Sequence, residues 1–161
     1  MSSSRAASAL LAVTLLAMLL SACGGAPGGG SGGGSSCTGA HSRVEVVVEL
    51  GDHHVLARCV GFKGAELAGE TVLHRSGIEF ATQHFSFGDA VCQIDNEPKS
   101  YTECFGTGQP YWALFLWSGK GPWKPAATGI SEVKLRSGDA LGWRYVPAQG
   151  SAPPPPRPPK T

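Results

Sequence analysis

Five histidines, five cysteines and twelve acidic side chains are the groups in this 161-residue chain best suited to chemistry, and their spacing argues against most of it. His53 and His54 are adjacent, and on a strand neighbouring side chains point to opposite faces, so the two would not share one metal. His74 falls on a helical stretch, while His41 and His84 lie where the pattern is irregular. None shows paired metal-ligand spacing, so no metal site is expected. A lone histidine can still serve a cobalt or iron tetrapyrrole as axial ligand, and His84 or His53 is then the first choice. Asp89 and Asp95 could be read as a carboxylate pair, but each ends a strand beside turn residues, where aspartate bonds its own backbone. No nucleophile elbow, no H-E-x-x-H and no phosphate-binding glycine loop occurs. The expectation is a protein without catalytic residues and without enzyme activity.

The cysteines divide by position. Arg5 followed by the apolar run Ala6–Leu20 reads as a secretory signal too short to span a bilayer comfortably. It closes on Leu20-Ser21-Ala22-Cys23, the pattern of a lipoprotein signal peptide over 1–22. Cys23 is the odd cysteine of five and is expected to be diacylated, which is enough for stable anchoring. Residues 23–36 then form a Gly/Ser tether with a root-mean-square span of about 20 Å. The expected location is the outer face of the cytoplasmic membrane. There the compartment is oxidising, so Cys37, Cys59, Cys92 and Cys104 are expected as two disulfides. Four cysteines allow three pairings. Short loops closed across turns favour Cys37–Cys59 and Cys92–Cys104. Removing 1–22 leaves 12 basic and 12 acidic side chains with no basic cluster, which argues against nucleic acid as a partner. A monomer is expected. The C-terminal 148–161 is almost all proline beyond Ala152 and reads as a disordered tail, a stiff spacer or a docking peptide.

The densest apolar stretch is Tyr111–Gly129, with three of the four tryptophans. Tyr111, Ala113, Phe115 and Trp117 alternate with Trp112, Leu114 and Leu116, so the strand is apolar on both faces and should be covered on both. Gly119, Gly121, Pro122 and Pro125 break the pattern around Trp123. Core packing is the ordinary destiny of such aromatics. Tyr111, Trp112, Trp117 and Trp123 are nevertheless the candidate ligand-binding set, with Gln109, Lys120 and Lys124 at its rim. Trp123 is assigned to the surface first, because its loop offers little core.

Residues 37–147 make one domain. Val44–Leu50 alternates as a half-buried strand, Gly51-Asp52 turns the chain, and His53–Phe62 returns as a hairpin partner. Leu67–Ile78 takes a helical period with Gly77 placed to stop it. Asp89–Ile94, Tyr111–Trp117 and Ala140–Val146 are three further strands, with the short apolar Val133–Leu135 before the last. The expected fold is α+β: a small, disulfide-bonded, β-grasp-like domain of about five strands with one helix packed on the sheet.

The valine-rich first strand, Gly69-Glu70-Thr71-Val72-Leu73, Val91-Cys92-Gln93-Ile94-Asp95, Tyr111-Trp112, Gly129, Ser137-Gly138-Asp139 and Gly142-Trp143-Arg144-Tyr145 together resemble the C-terminal β-domain of transcobalamin and intrinsic factor. The resemblance is closest to actinobacterial surface proteins with paired cysteines and covers nearly all of 40–146. Together with the lipoprotein signal and the aromatic stretch, it implies a membrane-anchored ligand-binding module for a flat small molecule such as cobalamin or a related corrinoid, passed to a membrane transporter. It also implies that the strand carrying Tyr111-Trp112 and the loop after it face the ligand. The helical domain that completes the cobalamin site in the vitamin carriers has no counterpart here. The rival expectation is a protein-interaction or cell-wall adhesion module in which the same aromatics meet a partner protein. A concave aromatic patch would favour the small molecule, a flat one the protein.

Overall fold

A computed structural model describes residues 37–148 and 150–158. The expected signal peptide, the expected lipidation of Cys23 and the expected tether therefore lie outside the described residues. The chain runs β1 (Ser42–Glu49), β2 (Val55–Phe62), β3 (Glu66–Ala68), α1 (Gly69–Ser76), β4 (Phe80–Phe85), β5 (Gly88–Ile94), β6 (Tyr111–Trp117), β7 (Lys124–Pro125), β8 (Lys134–Arg136) and β9 (Ala140–Val146). The fold is a small α+β domain carrying two disulfides, Cys37–Cys59 and Cys92–Cys104, the pairing that local loop closure favours.

Five strands form the main sheet in the order β2-β1-β9-β6-β7. β1 and β2 make the antiparallel hairpin, β9 lies parallel to β1, and β6 is antiparallel to β9. Turn chemistry sets these registers. The Asp52 carboxylate accepts from the His54 amide at 2.8 Å, and His53 takes a left-handed φ of 67° within the turn, so the returning strand starts at Val55 rather than at His53. Before β9, Gly138 supplies a φ of 92° while Asp139 accepts from the Arg136 amide at 2.7 Å.

Asp89–Ile94 is a strand, but it does not join the main sheet. Instead β5 pairs with β4 in a separate hairpin. Its partner FATQHF carries polar residues at its centre and gives little strand signal in the sequence. The fifth place in the main sheet goes to the two-residue β7. The expected helix Leu67–Ile78 is shorter: Glu66–Ala68 pairs with β8, and α1 begins at Gly69. Gly77 does end it, with φ 73° and its amide bonded to the His74 carbonyl. A Cβ on Gly69 would stand 2.7 Å from the Ile130 side chain, so glycine is what lets the helix start so close to its neighbour.

The sheet buries both faces. On one, Val44, Val46, Val48, Leu141, Trp143 and Trp112 pack under α1 through Val72 and Leu73. On the other, Val47, Ala113, Phe115, Ala140 and Val146 pack with Trp123 and Ala152. The expected coverage of β6 on both sides is thus present. Residues 150–158, expected within a disordered tail, lie against this second face. Pro155 is buried, and the Pro154 carbonyl accepts from Arg144 at 3.3 Å. A Cβ on Gly142 would fall 2.6 Å from Pro155 and 2.9 Å from the Trp123 indole, so the absent side chain is the notch into which both fit. Proline has no amide hydrogen to satisfy and can cover apolar surface without a strand partner. Ending the chain after Pro147 is expected to lower unfolding free energy by about 1–2 kcal/mol and to red-shift tryptophan emission as Trp123 becomes wet. Unchanged emission would mean that the tail does not cover this face in solution.

Candidate functional site

The sequence-derived aromatic set separates into two places. Tyr111 and Trp112 border a cavity of about 330 Å³ at the edge of β6. Trp117 and Trp123 sit on the tail side, ring centroids 6.5 Å apart, and the Trp117 indole donates to the Gly121 carbonyl at 2.9 Å. Trp123, placed first on the surface by sequence, retains only 8 % of its exposure. Its flanking turns fold the indole back over the Gly142 notch, so it is core. Lys120, Lys124 and Gln109 are exposed and do not border the cavity.

The cavity exists because of a gap in pairing. β7 meets β6 only at Phe115 and Leu116, so among the described residues no strand pairs with Tyr111–Leu114 on that side. The Leu114 carbonyl accepts from the Ala126 amide at 2.9 Å on that side. By antiparallel alternation, the backbone groups of Trp112 point the same way. The cavity wraps this edge, taking Trp112, Leu114 and Trp143 from one sheet face and Tyr111, Ala113 and Phe115 from the other. Its far wall is β5 at Asp89–Val91 with Ile130, and the loop Pro125–Thr128 closes one side.

That wall is fixed by backbone contact. A Cβ on Gly129 would lie 2.5 Å from the Gly88 carbonyl carbon and the Asp89 nitrogen. The Gly129 amide donates to the Phe87 carbonyl at 2.7 Å, and Ser131 Oγ accepts from the Asp89 amide at 3.0 Å. On the facing side, Trp112 Nε1 donates to the Glu97 carbonyl at 3.0 Å, while the Glu97 carboxylate accepts from the Gly51 amide at 3.0 Å. Asp95 and Asn96, with φ of 48° and 61°, make the tight turn that brings Glu97 there.

Two phenylalanines not singled out by sequence, Phe87 and Phe105, form the rim, and Phe85 backs them. Phe85 and Phe87 stack with centroids 5.3 Å apart; Phe105 lies 5.9 Å from Phe87 and 5.2 Å from Tyr111. Phe87 and Phe105 remain 39 % and 46 % exposed, high values for clustered rings. Two signals in the sequence could have found them: the F-S-F-G hairpin tip, and Phe105 beside a cysteine that bonds β5. The Cys92–Cys104 bridge is buried between these rings and β5, with Cα atoms 4.7 Å apart.

Asp89 is the one acidic residue bordering the cavity, and His84 Nδ1 lies 2.7 Å from its carboxylate. None of the five histidines borders the cavity. His53 pairs with Glu49 at 2.9 Å, and His74 packs edge-on against Phe80. Asp89 and Asp95 do not form a pair around a reacting centre, since Asp95 belongs to the turn. The arrangement sets an aromatic wall on β6 against an aliphatic far wall, with one carboxylate and the Trp112 backbone as polar groups, and suits a small, largely apolar group.

No family model matches the chain, and no curated protein matches it significantly. Among solved structures the chain is similar to a proposed metal-binding protein from Ruminococcus gnavus, with 14 % identity and a TM-score of 0.48 over 65 % of this chain and 95 % of that one. It is also similar to haptocorrin in complex with Cbi, with 17 % identity and a TM-score of 0.46 over 66 % of this chain and 25 % of that one. The chain thus spans about a quarter of haptocorrin's length. Neither likeness reaches far enough to assign a site residue.

Proposed function

We propose that this protein is a ligand-binding module held at the outer face of the cytoplasmic membrane by a lipid on Cys23, and that it takes a flat, largely apolar small molecule into the β6-edge cavity for delivery to a membrane transporter. The observation that carries the reading is a concave apolar cavity whose exposed rim is aromatic. Binding rather than catalysis is proposed because the ionisable groups do not converge there. A volume of about 330 Å³ admits one ring system and not a whole corrin. A corrinoid, the ligand class implied by the sequence resemblance, would insert an edge and lay the remainder over Phe87 and Phe105. Trp112 and Trp143 border the cavity and would report occupancy.

Tryptophan fluorescence of the chain from Cys37 onward, tail included, is the direct test, with cobalamin and cobinamide as probes. Saturable quenching is expected, weakened about tenfold in Phe105→Ala, the loss of one aromatic contact of roughly 1.4 kcal/mol. Quenching of equal strength in Phe105→Ala would remove this cavity as the site, and no response would remove corrinoids as the ligand. A second reading, a protein-interaction module, draws on a different observation: an unpaired strand edge beside exposed rings also suits an extended partner segment added to β6. A peptide partner that leaves corrinoid quenching at zero would favour it.

A further inference from the structure

The Cys37–Cys59 bridge lies at the β2 edge of the main sheet, away from β6, against a buried acid. Glu45 and Cys59 are direct cross-strand partners in the β1–β2 ladder, so their side chains share the second face of the sheet. Glu45 retains 9 % of its exposure, and its Oε1 is buried without a hydrogen-bond partner. An unpartnered buried carboxylate oxygen is costly, and Gln at that position would avoid the charge. The Glu45 carboxylate and the two sulfur atoms all lie within 4.8 Å of one another. No other group of three such side chains within this reach is found among the described residues. Cys37 precedes β1 in a turn closed by the Ala40 amide on its carbonyl, so its sulfur can shift without breaking a ladder bond.

We propose that reduction of Cys37–Cys59 converts this corner into a cation site, in which both thiolates and the Glu45 carboxylate bind one zinc-like divalent ion. Two of the three ligands are already fixed by strand pairing, and only the sulfur of Cys37 must move away from its bonded partner. A dithiol donor supplies two electrons and two protons, turning the bridge into two thiols and itself into a disulfide. The cation then displaces the two thiol protons to solvent and bonds both sulfurs and one carboxylate oxygen. A fourth, tetrahedral position is left for water, as in open zinc sites. Arg43, on the same strand face, offsets part of the negative charge that three such ligands gather. Two thiolates with one carboxylate favour a borderline-soft ion over magnesium or calcium.

The test uses the full chain, reduced with dithiothreitol, freed of it under nitrogen and titrated with Co²⁺. A thiolate-to-cobalt charge-transfer band together with tetrahedral ligand-field bands is expected at one equivalent. The oxidised protein is expected to show neither. Glu45→Gln should weaken Co²⁺ at least about tenfold while its oxidised form keeps the far-ultraviolet circular dichroism of the parent. Glu45→Asp, which withdraws the carboxylate by one methylene, provides a second variant with the charge kept and is expected to weaken binding as well. Cys37→Ser should abolish the band. Absence of the bands in the reduced parent overturns the proposal. So does binding of parental strength in Glu45→Gln and Glu45→Asp, or in Cys37→Ser, since other thiols would then be the ligands.

Discussion

Replacing Cys92 and Cys104 together by alanine is expected to lower the unfolding free energy by about 3 kcal/mol, the loop-closure value for a bridge of this span. The two residues are 12 apart in sequence and each retains 4 % of its exposure. The bridge is the covalent link between β5, the far wall of the cavity, and the segment that carries Phe105. Loss of the bridge should therefore act twice. Urea unfolding at fixed temperature would read the stability term through a lower midpoint. Corrinoid or other probe affinity would read the second term, as Phe105 loses its fixed place against Phe87 and Tyr111. A stability loss with affinity unchanged would mean that ring packing alone holds the rim.

Trp143→Ala is expected to be the most damaging single substitution, at about 4 kcal/mol. Trp143 retains 1 % of its exposure and stands in the middle of the sheet, opposite Val48 on one side and Leu114 on the other. Nothing nearby is free to collapse into the space it would leave, because both flanking strands are fixed by their ladders. Trp117→Ala gives the internal comparison. That indole is only half-buried and holds a single hydrogen bond to Gly121, so its loss should cost about 1–2 kcal/mol. Equal losses for the two tryptophans, measured by chemical unfolding, would contradict the placement of Trp143 at the centre of the core.

Much of the sheet is readable from alternation. Val44, Val46 and Val48 mark β1, the two apolar faces of Tyr111–Trp117 mark a doubly covered strand, and Gly77 marks the helix end. Pairing is less readable, because it depends on partners distant in sequence. β5 has a strong strand signal, but its partner β4 places Thr82, Gln83 and His84 where alternation would want apolar residues. Nothing in the sequence therefore says that these two strands leave the main sheet. β7 is two residues long, below the length at which any period exists. Trp123 illustrates a different limit. Whether an aromatic on a glycine- and proline-rich loop is exposed depends on whether the sheet opposite has a notch, and here Gly142 supplies one. The proline tail is opaque for a related reason: a segment that makes no internal hydrogen bonds has the same local signature free or docked. The candidate site was half legible. Tyr111 and Trp112 were marked by composition, whereas the phenylalanine rim is assembled by a hairpin tip and a disulfide from positions that look unremarkable one at a time.

Ala152 belongs to two structures at once: it packs in the second-face cluster with Trp123, and it borders the β6-edge cavity. The tail is thus part of the wall that a guest in the cavity would touch. Reciprocity then applies: whatever factor the seated tail contributes to guest affinity, the guest contributes to the tail's hold on the sheet. A carboxypeptidase working inward from the C-terminus would meet a slower substrate when the cavity is filled. The proline run would then act as a readable flag of occupancy.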